Sequence, residues 1–298
     1  MGKDAAAVSG FQPPDIREET YFTNRQTAHA YDGYIGISIP FYWPALHFAA
    51  RTLAGMFAGK SALGCAELGA GTGNFLRIVQ EYISLKRCLA VDHSEPMLAI
   101  ASRKLRRPGC RMAVLAVSFL SDAWTELPDF SASDIVLASL ALDHIHSDEA
   151  LLSLFGKVYR FLTPGGCFVL AEKCANGGDR ESASFRSFER MVGIRERHMV
   201  QQGLKTAEDT RLWKRHILED DCLRPLGSLW QMACRAGFAI PAAAGVALPE
   251  GDDLDDEAYF RMTSVSPLSK ADVFARDRAY GLGMLFCLKP DGSGASHP

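Results

Sequence analysis

The 298-residue chain lacks an excess of positive charge, a long apolar run and a secretory leader. Lys and Arg number 32 against 35 Asp and Glu, and the formal net charge of −3 argues against a nucleic-acid partner. Because no uncharged apolar stretch is long enough to cross a bilayer, we predict no membrane partner. The start MGKDAAAVSG has no signal-peptide core, which predicts a cytoplasmic protein.

Paired cysteine motifs are also missing. The eight cysteines are scattered, and no group of Cys and His has the spacing of a zinc site. We therefore expect the cysteines to be small buried side chains in a reducing compartment, and we predict no metal site.

Short apolar runs alternate with amphipathic segments through the middle of the chain. GCAEL, RCLAVDH, CRMAVLAV, SDIVLASL and CFVLAEK are each four to eight residues long, and most are separated by helical segments. This alternation predicts βαβ units, a parallel sheet covered on both faces and a Rossmann-like α/β fold.

The remaining segments flank this core. We predict five parts: an N-terminal helical lid (1–60), a Rossmann-like core (61–175), a helical insert (176–235), the last two strands with a long acidic loop (236–290), and a flexible tail (291–298). The insert follows the fifth strand, which places it over the carboxyl edge of the sheet, where ligands bind in such folds.

The segment ELGAGTGNF carries three glycines at alternate positions, Gly69, Gly71 and Gly73. A pyrophosphate-binding turn has the spacing G-x-G-x-x-G instead, and the carboxylate of Glu67 would repel pyrophosphate. The turn therefore suits a ligand that is cationic or donates hydrogen bonds. Asp92, 25 positions after Glu67, ends the second strand. An acidic residue at that strand end can accept both ribose hydroxyls.

These elements resemble the class I S-adenosylmethionine (SAM) methyltransferases, and ASLALDHIH and FLTPGG resemble later motifs of that family. The resemblance implies SAM as cofactor and a seven-stranded, mostly parallel sheet of order 3-2-1-4-5-7-6, with the helical insert between strands 5 and 6. It assigns cofactor contacts to Glu67, Gly69, Gly71, Gly73, Asp92, His93, Ser118, Phe119 and Leu140. Ser118 stands where the family commonly has Asp, so Asp122 is an alternative.

Two outer segments resemble a narrower group, the carboxy-SAM-dependent tRNA wobble-uridine methyltransferases. AHAYDGYIGISIPFY is similar to the N-terminal helix of that group, and GLKTAEDTRLWKRHILEDD is similar to its insert. Arg215 matches an Arg that meets an acidic group on the modified cofactor; a substrate carboxylate and a pair with Asp220 or Asp221 are equally open alternatives for it. The resemblance leaves a homodimer open, while the acidic run at 252–257 weighs against tRNA.

Methyl transfer needs alignment and exclusion of water, and it needs a base only when the nucleophile carries a proton. We predict His144 as that base with Asp143 as its partner; the alternative is that His144 packs under the lid and Asp143 caps the next helix. Tyr31 is the aromatic group expected near the sulfonium. The predicted substrate contacts are Tyr21, Tyr34, Glu172 and Arg215.

The leading functional prediction is methyl transfer from SAM to a small molecule in a closed, lid-covered pocket. Three alternatives stay open: cyclisation of SAM to azetidine-2-carboxylate with release of methylthioadenosine, carboxy-SAM-dependent tRNA modification, and a non-catalytic SAM-binding module. The residues do not specify the acceptor molecule or its reacting atom.

Overall fold

The computed structural model describes residues 23, 25–39, 41–249, 255–262, 264–275 and 278–291. In that part of the chain, eight strands form one sheet of order β3-β2-β1-β4-β5-β8-β6-β7. The strands are β1 (Leu63–Leu68), β2 (Leu85–Asp92), β3 (Arg111–Ala116), β4 (Ser133–Ser139), β5 (Leu162–Cys174), β6 (Ala239–Ala247), β7 (Ser266–Pro267) and β8 (Tyr280–Leu288).

The first five strands run parallel, and β8 lies antiparallel between β5 and β6. The Rossmann-like fold and the strand order are confirmed once β8 is counted as the predicted seventh strand. The predicted count of seven strands is wrong because the two-residue β7 adds an edge strand. Its proline is tolerated there because one side of an edge strand is unpaired. A strand of two residues is also too short to show an alternation of apolar and polar residues.

Helices cover both faces of this sheet. The helices are α1 (Arg25–Ser38), α2 (Tyr42–Met56), α3 (Asn74–Tyr82), α4 (Glu95–Lys104), α5 (Asp148–Phe161), α6 (Ala183–Gln201), α7 (Ala207–Arg215), α8 (Leu226–Arg235), α9 (Asp256–Arg261) and α10 (Lys270–Val273). Core side chains from α2, α3, α4 and α6 pack on one face, and those from α5 and α8 pack on the other. No described helix is both long and apolar enough to span a membrane.

The insert between β5 and β6 consists of α6, α7 and α8, with a π-helical turn at His216–Asp220 directly after α7. The chain then returns to the end of β4, where the N–H of Cys222 donates to the carbonyl of Asp143 at 2.6 Å. This contact brings the insert to the carboxyl edge of the parallel strands, where the glycine turn also lies.

Candidate active site

A cleft opens at the carboxyl ends of β1, β2 and β4, and we call it the cofactor cleft. Seven of the nine predicted cofactor residues line it: Glu67, Gly69, Gly71, Asp92, His93, Phe119 and Leu140. No Lys or Arg belongs to its described lining, so the cleft offers no cation to a pyrophosphate.

Glycine is needed at the three positions of the turn for different physical reasons. All have positive φ, at 67°, 50° and 79° in chain order. A Cβ on Gly69 would lie 2.4 Å from the Cβ of Ala141, whereas a Cβ on Gly71 would meet no heavy atom within 4 Å and faces the cleft. A Cβ on Gly73 would lie 2.9 Å from Cδ1 of Leu105. Gly73 therefore packs closely at the start of α3, and its predicted cofactor contact stays a prediction.

Asp92 ties the glycine turn to β2. Its Oδ2 accepts the N–H of Gly71 at 2.7 Å, and its Oδ1 accepts the N–H of Ser94 at 2.8 Å. Each carboxylate oxygen can accept a second hydrogen bond, so Asp92 keeps acceptor capacity for a ligand hydroxyl. His93 follows it, with Nδ1 3.6 Å from Oδ1 of Asp92.

Glu67 lies at the buried end of the cleft. Its Oε2 accepts the N–H of Leu76 at 3.2 Å, and the residue is 2% exposed. Burial raises the pKa of this carboxyl to about 8, with Asp92 adding to the rise and the Leu76 N–H opposing it. Glu67 is therefore mostly a neutral acid at pH 7, and a cationic ligand would favour its ionised form.

Only one of the residues predicted to contact the adenine ring lies in the lining of the cleft. Phe119 lines the cleft, but Ser118 does not, because its Oγ accepts the N–H of Leu120 within its own loop. The alternative residue Asp122 also lies outside, at 75% side-chain exposure and 2.7 Å from Nζ of Lys157. Phe119 thus lies in the described lining and the two polar residues do not, and all three assignments as cofactor contacts stay predictions.

An ion-pair network at the cleft rim was missed from the sequence. Asp32 of α1 accepts from Thr72 at 2.6 Å, from Asn74 at 3.0 Å and from Lys104 at 2.5 Å. Lys104 also contacts Thr72 and Asn74, and it thereby holds α1 against the glycine turn. The helix thereby places Tyr31 in the wall of the cleft.

A second space, which we call the inner chamber, adjoins the cofactor cleft. The two share Tyr31, Leu140 and His144 as lining residues. The rest of the inner chamber includes Tyr34, Lys173, Arg195, Trp213 and His216. Leu140 sits at the junction with φ 53°, a left-handed conformation that is uncommon for a residue with a Cβ.

Aromatic side chains of α1 form one wall of the inner chamber. The rings of Tyr31 and Tyr34 meet edge to face, with centroids 5.6 Å apart. Burial raises the pKa of the Tyr31 phenol well above its usual value, and the neighbouring Tyr42 and Asp32 raise it further. Tyr31 therefore stays protonated and cannot serve as a base at neutral pH.

Arg195 is the buried cation of the inner chamber. It is 1% exposed, and its guanidinium carbon lies 4.6 Å from the ring centroid of Trp213. Within the part of the chain that the structure describes, its Nε and Nη1 have no hydrogen-bond partner. Burial lowers the pKa of this guanidinium to about 10, which still leaves it charged at neutral pH. The sequence carries one signal for it, because Arg195 falls on the apolar stripe of α6.

Two carboxylates and an ammonium form a buried triad behind the chamber. Nζ of Lys173 lies 2.8 Å from Oδ2 of Asp143 and also contacts Oδ2 of Asp221. Burial alone would lower the pKa of Lys173, but the two carboxylates outweigh it and raise that pKa. Asp143 was predicted as the partner of His144, yet Oδ1 of Asp143 is 3.8 Å from Nε2 of that ring, and Lys173 is its close partner.

His144 lies where the two spaces meet, and its side chain is 21% exposed. Its Nδ1 is 3.4 Å from Oδ1 of Asp221, and its ring stacks on that of His216 with centroids 5.5 Å apart. Burial is the main cause that lowers the pKa of His216 to about 3, and the nearby Lys173 and His144 lower it further. The imidazole of His216 is therefore neutral. His216 begins the π-helical turn and Asp221 directly follows it, and neither had a sequence signal for this position.

Three predicted substrate contacts need comment. Glu172 is not among the described lining of either space, and its Oε1 accepts the N–H groups of Ala141 and Leu142, so it holds the loop after β4. Arg215 is 67% exposed and pairs with Glu219 at 3.5 Å, because the buried face of this segment carries Trp213, His216 and Ile217 instead. The substrate contacts assigned to Glu172 and Arg215 stay predictions. Tyr21 lies outside the described residues.

The cofactor cleft fits SAM on its own chemistry. Glu67 and Asp92 provide acidic groups for a cation and for hydroxyls, Gly71 leaves backbone open to the ligand, and Phe119 provides an aromatic face. SAM supplies an activated methyl group on a sulfonium.

Comparison with known proteins agrees with this fit. Residues 66–166 match a family model described as a methyltransferase domain. A carboxy-SAM synthase of Helicobacter hepaticus is 28% identical over 212 residues, 69% of this chain and 81% of that protein. A trans-aconitate 2-methyltransferase of Delftia acidovorans is 26% identical over 132 residues, 43% of this chain and 46% of that protein.

Solved structures share the fold. The methyltransferase solved in complex with the Haloferax volcanii Trm112 activator has a TM-score of 0.53 at 18% identity, covering 92% of this chain and 99% of its own. The strand order, the glycine turn at the carboxyl edge of the sheet and the matched domain lead to one assignment. The chain is a SAM-dependent enzyme that carries a methyltransferase domain at residues 66–166 and is similar to the class I methyltransferases, and SAM is its cofactor.

Proposed function

We propose that this enzyme transfers the methyl group of SAM to a small molecule that carries a carboxylate and occupies the inner chamber. The observation that carries the proposal is Arg195, a buried guanidinium with two unpartnered donors among the described residues, in a space that adjoins the cofactor cleft. A buried charge without hydrogen-bond partners is costly, and an arriving carboxylate offsets that cost.

The charge of Arg195 favours a carboxylate. The N–H groups of a guanidinium make charge-assisted hydrogen bonds to carboxylate oxygens. Trp213 covers one face of this guanidinium, so a ligand meets its edge; Nε and Nη1 donate on different sides of that edge, and each offers an N–H to a carboxylate oxygen. The aromatic rings of Tyr31 and Tyr34 provide the apolar part of the same chamber.

The shared residues define where the reaction takes place. Tyr31, Leu140 and His144 border both spaces, so an acceptor atom beside them faces the cofactor cleft. Tyr31 presents an aromatic ring to the sulfonium, which favours its positive charge. His144 accepts a proton when the acceptor carries one in its reactive form. Helix α1 acts as the lid that excludes water from this junction.

The names of the relatives support an anionic substrate. Carboxy-SAM and trans-aconitate both carry carboxylates, and these words occur in the names of the Helicobacter and Delftia proteins. Formation of a carboxylated SAM is therefore the second candidate, favoured by the match over 81% of the Helicobacter protein. In that reaction Arg195 would hold a carboxylate donor that releases CO₂ to the SAM methyl carbon and takes up the proton that this carbon loses. Cyclisation of SAM would need neither an acceptor nor this unpartnered guanidinium.

The test compares two arginines of the same helix. Arg195→Gln removes the buried guanidinium, and Arg197→Gln removes a surface guanidinium that pairs with Asp256 at 2.6 Å. Each protein is incubated with SAM and a panel of mono-, di- and tricarboxylates that includes trans-aconitate, and products are identified by mass spectrometry. We expect an acceptor whose KM rises at least tenfold in R195Q and stays unchanged in R197Q. An equal KM in both variants would contradict the proposal.

A further inference from the structure

We propose that His144, His216 and Asp221 form a binding site for one divalent transition-metal ion beside the inner chamber. One donor atom from each residue lies within 4.8 Å of the other two. His144 follows β4, whereas His216 and Asp221 begin and follow the π-helical turn. The proposal concerns metal binding by the protein alone and does not depend on the proposed substrate.

The donor separations suit a shared ion better than hydrogen bonds. Oδ1 of Asp221 lies 3.4 Å from Nδ1 of His144 and 3.4 Å from Nε2 of His216. Charge-assisted N–H···O bonds are shorter, about 2.7–2.9 Å. Two ligands that each lie about 2.1 Å from a tetrahedral metal are about 3.4 Å apart. The two distances from Asp221 therefore fit a common metal ion.

Asp221 supplies the second, independent observation. Its side chain is fully buried, and Oδ1 has no hydrogen-bond partner among the residues that the structure describes. Its other oxygen, Oδ2, contacts the ammonium of Lys173. Lys173 thus fixes the orientation of the carboxylate and leaves Oδ1 directed towards the two imidazoles, as partners of metal ligands do.

The π-helical turn explains how the ligands meet. The N–H of Asp221 donates to the carbonyl of His216 at 3.0 Å, a hydrogen bond across five residues. This wider turn brings His216 and Asp221 to the same side, facing His144. Such single π turns inside or beside α-helices are frequent at functional sites.

The donor set selects the class of metal. Two imidazoles and one carboxylate suit Zn²⁺, Co²⁺, Ni²⁺ or Fe²⁺, whereas Mg²⁺ and Ca²⁺ prefer oxygen ligands. Three protein ligands leave a coordination position open, and both histidines line the inner chamber. A loaded site would lower the pKa of a hydroxyl that binds there. His144 would then act as a ligand in place of its role as a base.

Cobalt is the probe for a direct test without SAM or acceptor. Full-length, tag-free protein is treated with a chelator, dialysed and titrated anaerobically with Co²⁺ while its visible d–d absorption is recorded. We expect one equivalent to bind, with displacement by Zn²⁺ and no displacement by Mg²⁺. Stoichiometry is checked by elemental analysis after gel filtration.

Variants distinguish this site from other histidines. Asp221→Asn and His144→Gln should abolish the cobalt spectrum, whereas His47→Gln should keep it, because His47 hydrogen-bonds to Tyr82 at the surface. His144 is partly exposed, so H144Q keeps the test valid if D221N fails to fold, and circular dichroism checks both. No saturable Co²⁺ binding by the native chain, or an unchanged spectrum in H144Q, would overturn the site.

Discussion

Oδ2 of Asp32 lies 2.5 Å from Nζ of Lys104, and this ion pair joins helix α1 to the end of α4 beside the glycine turn. Lys104 also donates to Oδ1 of Asn74 at 2.7 Å, so the pair is part of a network. The helix that carries Tyr31 is therefore held against the cofactor cleft before any ligand arrives.

Removing the carboxylate should loosen that helix. Asp32→Ala removes three hydrogen bonds, and we expect SAM to bind about tenfold more weakly because Tyr31 is no longer held in the cleft wall, a change of about 1.4 kcal/mol. Calorimetry measures the affinity, and hydrogen exchange of residues 25–38 should accelerate. Glu81→Gln breaks only the exposed pair with Arg77 and should leave both readouts unchanged. Native SAM affinity in D32A would refute this role.

Gly71 and Gly73 should respond differently to alanine. In Gly71→Ala the new methyl group faces the open cleft, so SAM affinity should fall at least tenfold while the thermal midpoint changes little beyond the strain of a positive φ. In Gly73→Ala the methyl group meets Leu105, so we expect a loss of roughly 1–3 kcal/mol of unfolding free energy. Calorimetry and urea unfolding measure the two effects. The same pattern in both variants would show that the assignment of the two glycines is wrong.

Glu67 should make stability depend on pH. Its pKa is about 8 in the folded chain and 4.5 as its ordinary value, so between these values the unfolded chain has released a proton that the folded chain retains. Stability from this residue is therefore lost as pH rises, by at most about 1.4 kcal/mol per pH unit. Glu67→Gln removes this dependence, so its stability relative to the native chain should increase steadily from pH 5 to pH 8. Urea unfolding of both proteins at four pH values checks this; a constant difference would contradict it.

Lys173 should be essential to the fold. Lys173→Met leaves Asp143 and Asp221 buried without their cation, which is expected to cost roughly 3–5 kcal/mol of unfolding free energy. Lys214→Met removes a partly exposed pair with Glu196 and should cost less than about 1 kcal/mol. Chemical denaturation at pH 7 separates the two outcomes. Similar losses in both variants would argue against a buried triad.

Much of the fold could be predicted because the spacing of apolar residues along the chain indicates each strand and helix. Buried strands such as LGCAEL alternate with helices, and this pattern sets the parallel sheet and its carboxyl edge. The glycine turn and Asp92 lie at that edge, so the position of the cofactor cleft followed from the sequence. The two-residue β7 could not be predicted since it has no period of its own.

The inner chamber could be predicted only in part, because its polar residues come from distant segments. Tyr31 and His144 were expected, but Arg195 and Asp221 were not. Arg195 follows Phe188, Met191 and Val192 on the buried stripe of α6, and a charged residue on such a stripe is the available signal. Asp221 had no signal, since its burial depends on the π-helical turn. The exposed position of Arg215 could not be predicted for the same reason. The π-helical turn that follows it determines which side chains of this segment face the inner chamber.

The fate of the methyl group tests the central claim most directly. The enzyme is incubated with SAM labelled with ¹³C in its methyl group together with the carboxylate acceptor found in the screen, and all products are analysed by mass spectrometry. We predict that the label appears on the carboxylate-bearing molecule in equal amount to S-adenosylhomocysteine, and that R195Q loses this product while R197Q retains it. Formation of labelled methylthioadenosine without S-adenosylhomocysteine, or transfer of the label to tRNA, would contradict the account.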